Sequence, residues 1–205
     1  MNTFLSGRRA EYAQATREAI QSAARELFVA RGYFATRVED IASAARVSPA
    51  TVYAVGGGKS GLLRELIRQG TQDGQIATIT QALEASSDPR ELLRLIVDAR
   101  RQRFEQWSDL IRQVVAAAPQ EESVRESLEL ANAAIRGGLA RIAQRLADMR
   151  ALRDGLSVAQ AADILWYYVG NGSYFTLTDD LHWPLPQAAD WIYQQLLLTL
   201  LDQAG

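Results

Sequence analysis

Residues 36–63, TRVEDIASAARVSPATVYAVGGGKSGLL, decide how the rest of the chain is read. Val38, Ile41, Ala42 and Ala45 recur at helical spacing and give a short helix, from about 38 to 46, one apolar face. Thr36 stands where a cap belongs, and Glu39 three residues later completes the capping pattern. Val47 closes a small turn. Ser48-Pro49 then restarts the chain, with serine at the cap and proline at the first helical position. This second helix lasts to about Val55, because Gly56-Gly57-Gly58 follows. A helix that short does not hold itself together in water and needs its neighbours to complete a core. Two short helices joined by a tight turn form a helix-turn-helix, whose second helix can enter the major groove of DNA.

Outward from this stretch, every periodic segment is helical. Upstream, Ile20, Ala24, Leu27 and Phe28 share one face of a helix from about 17 to 30, with Thr16 as its cap and Gly32 as its stop. Downstream, Leu62, Leu63, Leu66, Ile67, Ile76 and Ile79 stripe a helix from about 59 to 83, whose middle Gly70 and Gly74 loosen. Asp88-Pro89-Arg90-Glu91 restarts a helix to about Glu105, followed by a short one over 108–117. Pro119 opens a helix to about Asp154, with Gly137-Gly138 permitting a bend. Ser157 caps another reaching about Thr178. After a loop over 178–186, a last helix spans about 187–200. There is no run of alternating strand residues, no internal repeat and no low-complexity linker. The expectation is an all-α chain: a three-helix helix-turn-helix domain over 1–60 and a larger helical domain over 61–205.

Composition agrees. The chain has 205 residues, 48% of them hydrophobic, which is enough for a sizeable core. It has no cysteine, so disulfides, thiolate metal sites and thiol nucleophiles are excluded. Net charge is −2, but residues 1–65 sum to +3 and residues 66–205 to −5. A basic end on an acidic body suits one domain that faces phosphate and another that does not. Arg8 and Arg9 come too early for the apolar core of a signal peptide. The most apolar stretch, Ile164 to Phe175, is too short to span a membrane and carries Asn171. A cytoplasmic protein without membrane contact is expected.

The spacing from Gly32-Tyr33 through Thr36, Ile41-Ala42, Val47-Ser48 and Thr51-Val52-Tyr53 to Lys59 resembles the N-terminal signature of the TetR family of bacterial transcriptional regulators. The resemblance covers roughly residues 17–63; beyond it the chain matches only in being helical and of suitable length. It implies a ligand-responsive transcriptional repressor that binds a near-palindromic, double-stranded operator as a homodimer, with no cofactor or metal. A small molecule in the C-terminal domain would shift the two DNA-binding domains out of register. The last two long helices would form the dimer interface. An activator, or a helical interaction protein that does not bind DNA, is the alternative.

Carried over by position, Thr36 implies a phosphate contact at the start of its helix, and Arg37 one to phosphate or the minor groove. Ser48, Pro49 and Ala50 fall on leading positions near base edges. Ser48 also reads as a plain cap, while Pro49 and Ala50 offer apolar contacts such as a thymine methyl. Thr51 and Tyr53 imply backbone contacts through their hydroxyls, and Lys59 a phosphate clamp. Most of these would position the protein and few would specify bases. This chain departs from the family pattern at Gly56, where an aromatic residue is usual, and at Gly58, where a capping Ser or Thr is common. Packing of the third helix on the fourth then rests on Tyr53, Val55, Leu62 and Leu63.

Other signals point less far. Gly56-Gly57-Gly58-Lys59-Ser60 looks like the end of a nucleotide-binding phosphate loop. The full pattern needs glycine where Tyr53 stands, and a preceding strand. His182 is the lone histidine and has no ligand cluster, and no serine, histidine and acid arrangement is present, so an enzyme is not expected. Aromatic residues crowd the C-terminal part. Trp107, Trp166 and Phe175 are the candidate contacts for an apolar or aromatic effector, with Arg103, Gln113, Asn132 and Asn171 as polar companions. Leu196-Leu197-Leu198 followed by Leu200-Leu201 is broader than one core stripe, which suits a twofold helix-bundle interface, with antiparallel helix packing inside one subunit as the alternative.

Overall fold

A computed structural model describes residues 3–72, 82 and 86–202. The helices are α1 (Thr3–Arg31), α2 (Val38–Ala44), α3 (Pro49–Gly56), α4 (Gly58–Gln72), α5 (Pro89–Ala117), α6 (Glu122–Asp148), α7 (Val158–Val169), α8 (Asn171–Phe175) and α9 (Leu185–Leu200). A π turn, Thr176–Asp180, follows α8 directly. Among the described residues there is no strand beyond an isolated bridge between Leu152 and Leu201. No described helix is long and apolar enough to cross a membrane. The chain is all-α, as its periodicity implies. The expected residues 73–81 and 83 of the fourth helix, including Gly74, Ile76 and Ile79, lie outside the described residues.

The chain forms two compact units, residues 1–71 with 109–131, and residues 72–108 with 132–205. In the first, Ile20, Ala24 and Phe28 of α1, Val38 and Ile41 of α2, Val52 of α3 and Leu62, Leu63 and Leu66 of α4 are buried. Leu27, expected on the same inner face, is half-buried. Thr16 does not cap α1: the helix begins thirteen residues earlier, and the Thr16 hydroxyl donates to the Tyr12 carbonyl within it. A threonine can satisfy itself this way on an exposed helix, so its presence alone does not mark a start.

The cap of α2 also lies one residue on from the expected place. Arg37 is the cap residue and its backbone N–H donates to Asp40 Oδ2 at 3.0 Å. The Thr36 hydroxyl turns back to the end of α1, donating to the carbonyls of Gly32 (2.8 Å) and Leu27 (3.2 Å). The other end of α2 closes as a Schellman turn: Val47 N–H donates to Ala42 O and Arg46 N–H to Ser43 O. Arg46 occupies the left-handed position of that turn, with φ +56, where glycine is the usual residue. Arg46→Gly is therefore expected to stabilise the fold by up to about 1 kcal/mol. An unchanged or lower denaturation midpoint would show that the left-handed backbone carries no strain here.

The second unit is built on α5, α6, α7 and α9. Leu92, Leu93, Ile96, Val97 and Phe104 face Leu139, Ile142, Ala143 and Leu146 together with Ala161, Leu165 and Val169, while Ile192, Leu196 and Leu200 enter from α9. α5 is one continuous helix to Ala117, where a break near 106 was expected. No glycine or proline interrupts 90–117, and the polar run around Gln106 lies on its exposed side. The expected helix from 157 to 178 is broken instead. α7 ends at Val169, and Gly170 is extended before the chain re-enters α8. A Cβ on Gly170 would stand 2.6 Å from the Trp166 carbonyl oxygen, so only glycine fits.

Candidate functional site

The α2–turn–α3 segment presents a built surface. Val52 is fully buried and anchors α3, which turns Pro49, Ala50, Tyr53 and Ala54 outward. Tyr53 is 58% exposed, so the tip of a large amphipathic side chain stands free on the outer face. Ser48 caps α3: its Oγ accepts from Thr51 N–H at 3.1 Å and shares a proton with Thr51 Oγ1 at 2.9 Å. Ser48 is exposed and Thr51 half-buried. Arg37 is exposed at the start of α2. Arg46, which the reading of the sequence passed over, is exposed in the turn between α2 and α3. The signal for it was its place between two helices.

Thr36 departs from the expected set. It is 1% exposed and its hydroxyl donates to α1 carbonyls, so its side chain is turned inward and not toward the outer face. Its role is to tie the α1–α2 connection, which sets where Arg37 emerges.

Lys59 is held in place from below. Its ammonium lies 4.2 Å from the Tyr33 ring centroid and 5.8 Å from that of Phe34. A cation over ring faces gains electrostatic attraction without losing its charge. The Tyr33 ring also packs on Phe28 and Phe34. Its backbone N–H donates to Gln113 Oε1 at 3.1 Å, so Gln113, named above as a polar companion of the effector, serves the α1–α2 connection instead.

The Tyr33 hydroxyl is buried with no hydrogen-bond partner among the described residues. Burial, and then the nearby Glu121 charge, push its pKa above the ordinary tyrosine value. A folded pKa above the unfolded one means stability that is present below about pH 10 and lost as pH climbs toward the folded value. Tyr33→Phe is expected to be neutral or stabilising by about 1 kcal/mol at pH 7. It should also flatten the alkaline fall of the melting temperature. A steeper fall in the variant would contradict this account.

The glycine run takes the place of the missing aromatic wedge by close approach. Gly57 and Gly58 both have positive φ, at +66 and +74, which turns the chain from α3 into α4. A Cβ on Gly56 would stand 2.5 Å from Leu62 Cδ2, so the Leu62 side chain fills that space. A Cβ on Gly58 would stand 2.9 Å from the Tyr53 ring, and one on Gly61 only 2.0 Å from the Gly56 carbonyl oxygen. The sequence reading did not single out Gly61, because nothing in its spacing distinguishes it from a chance glycine in the first turn of a helix.

In the second unit the proposed effector residues are all half-buried. Trp107 lies beneath the Arg103 guanidinium at 4.9 Å, and Trp166 beneath Arg136 at 4.6 Å. Phe175 meets the edge of Phe104, whose ring also stacks on Tyr174, both at 5.1 Å. Arg100 reaches across from α5, its Nε donating to the Val169 carbonyl and its Nη2 to Asn171 Oδ1. No cluster of metal-ligating side chains occurs among the described residues.

Residues 20–66 match the family model for bacterial regulatory proteins of the tetR family. Solved structures of the same fold include a transcriptional regulator from Saccharomonospora viridis in complex with choline (19% identity, 91% of this chain and 98% of that one, TM-score 0.76). SmeT in complex with triclosan is similar over 93% of each chain, at 20% identity and a TM-score of 0.72. So is NalD of Pseudomonas aeruginosa, described as the secondary repressor of the MexAB-OprM multidrug efflux pump. It is 24% identical over 93% of this chain and 99% of its own, with a TM-score of 0.72. No curated protein matches significantly. The N-terminal helices, residues 20–66, are thus similar to the helix-turn-helix domain of the tetR family, and the chain as a whole shares the all-α fold of these solved structures.

Proposed function

We propose that this protein is a cytoplasmic repressor that binds a near-palindromic operator as a homodimer and leaves it when a small molecule enters the second unit. The observation that carries the reading is the outward face of α3, with Pro49, Ala50 and Tyr53 free to meet DNA while Val52 locks the helix to its platform. Arg37, Ser48, Thr51 and Lys59 flank that face and supply backbone contacts, joined by Arg46. Two such helices, one per protomer, would sit in successive major grooves ~34 Å apart.

Dimerisation is supported by an apolar strip on the second unit. The rings of Tyr167, Tyr168, Trp191 and Trp183 follow one another at 5.2, 6.2 and 5.9 Å. Tyr167 is 71% exposed, and Leu198 lies two turns along α9 from Trp191 on the same side. A second copy would cover this strip. Ligand response is supported by the neighbours solved with choline and triclosan, and repression by the one described as a repressor. Trp107, Trp166 and Phe175 are the proposed walls of the effector site.

The test is selection of bound duplexes from a random DNA pool, followed by titration against a scrambled control at fixed salt. Enrichment of a twofold-related motif supports the reading. No enrichment by folded dimer would remove specific DNA recognition and leave a helical interaction protein.

A further inference from the structure

The second unit contains a cation that no carboxylate among the described residues neutralises. Arg100 lies on α5 and its two hydrogen bonds go to neutral acceptors, the Val169 carbonyl at 3.0 Å and Asn171 Oδ1 at 3.1 Å. Its electrostatic neighbours among the described residues are Tyr174 and another cation, Arg103; no carboxylate is among them. Burial pulls its pKa down to about 10, although part of its surface stays open. A guanidinium so enclosed, with donors left over, is costly unless something negative meets it. Capping the last carbonyls of α7 offsets part of the charge, since a helix C-terminus carries partial negative charge. Among the described residues a full counter-charge is still missing, and a neutral glutamine would have sufficed for the cap.

The surroundings say what shape the counter-charge takes. Tyr174 is buried beside Arg100, Phe104 stacks on it and Phe175 meets Phe104 edge-on. Trp107 lies on α5 one turn beyond Phe104, with Arg103 drawn over its ring. This is one charged fork bordered by aromatic surface, which fits a single carboxylate on an apolar body.

Resting on the sensor reading above, we propose that the effector is a monocarboxylate with an aromatic or aliphatic body, its carboxylate paired with the free edge of Arg100 and its body packed against Phe104, Trp107 and Phe175. Binding is measured by calorimetry on the full-length protein with phenylacetate, 4-phenylbutyrate, octanoate and dodecanoate. Each acid is compared with its corresponding primary alcohol. At least one acid should bind about 10- to 100-fold more tightly than its alcohol, the worth of charge-assisted hydrogen bonds in a desolvated site. It should also release operator DNA. Arg100→Gln should abolish the acid-over-alcohol preference, and Arg100→Lys should keep part of it. The wild-type comparison needs no variant, so the proposal stands or falls even if Arg100→Gln fails to fold. Alcohols that bind and release DNA as well as the acids do would overturn the carboxylate and leave the sensor reading intact. Failure of both classes on a protein that binds its operator would overturn both.

Discussion

Lys59→Ala should weaken binding to the selected operator about 10- to 100-fold at fixed salt, and the slope of log affinity against log salt should become shallower by about two units, one per protomer. The ammonium is already positioned over Tyr33 and Phe34, so little ordering remains when phosphate arrives. The same variant should lose only about 0.5–1 kcal/mol of stability, the worth of a cation–π contact at such a site. Tyr53→Phe removes only a hydroxyl from an exposed ring and should cost up to about tenfold in affinity with no change in melting temperature. An unchanged salt slope in Lys59→Ala would mean that Lys59 meets no phosphate. An unchanged affinity in Tyr53→Phe would mean that the Tyr53 ring, and not its hydroxyl, faces the DNA.

Gly61→Ala should destabilise the first unit by about 2–3 kcal/mol, the upper part of the range for overpacking. The new methyl would stand 2.0 Å from the Gly56 carbonyl oxygen, and that carbonyl belongs to the backbone at the end of α3. It cannot swing aside as a side chain would, so α3 must shift against α4 and DNA binding should fall with stability. Gly137→Ala is the matched control. Gly137 is an exposed position inside α6 where an added Cβ meets nothing within 4 Å, so alanine should stabilise by about 0.5–1 kcal/mol. Urea denaturation of both variants decides the matter, and equal effects of the same sign would refute the close-approach argument.

What could be read from the sequence follows from range. The helix-turn-helix was legible because its determinants are local: Ser48-Pro49, the apolar positions 38, 41 and 42, and the glycine run each act within a few residues. The continuity of α5 was open to a local reading, since no glycine or proline interrupts 90–117, but the break at Gly170 brings in a partner from elsewhere. Arg100 arrives from α5 to meet Val169 and Asn171, which lie about seventy residues away. Thr36 misled for the same reason. Its type and place suit a cap, and only the fold shows its hydroxyl drawn to Leu27 and Gly32. Gln113 looked like a polar group for a ligand and proved to be bonded to the Tyr33 backbone. The inward anchor of α3 was not legible either: packing was expected to rest on Tyr53 and Val55, whereas Val52 is the fully buried residue and Tyr53 is 58% exposed.

The π turn at Thr176–Asp180 gives the chain a place where its length can change. Its closing bond, from Leu181 N–H to the Thr176 carbonyl, spans one residue more than an α-helical bond does. That spare residue is a unit of slack. A single deletion between 176 and 180 can be absorbed by tightening the turn to α geometry, whereas the same deletion in α7 would rotate everything after it by about 100°. Homologues that lack one residue are therefore expected to lack it here, with α9 kept in phase.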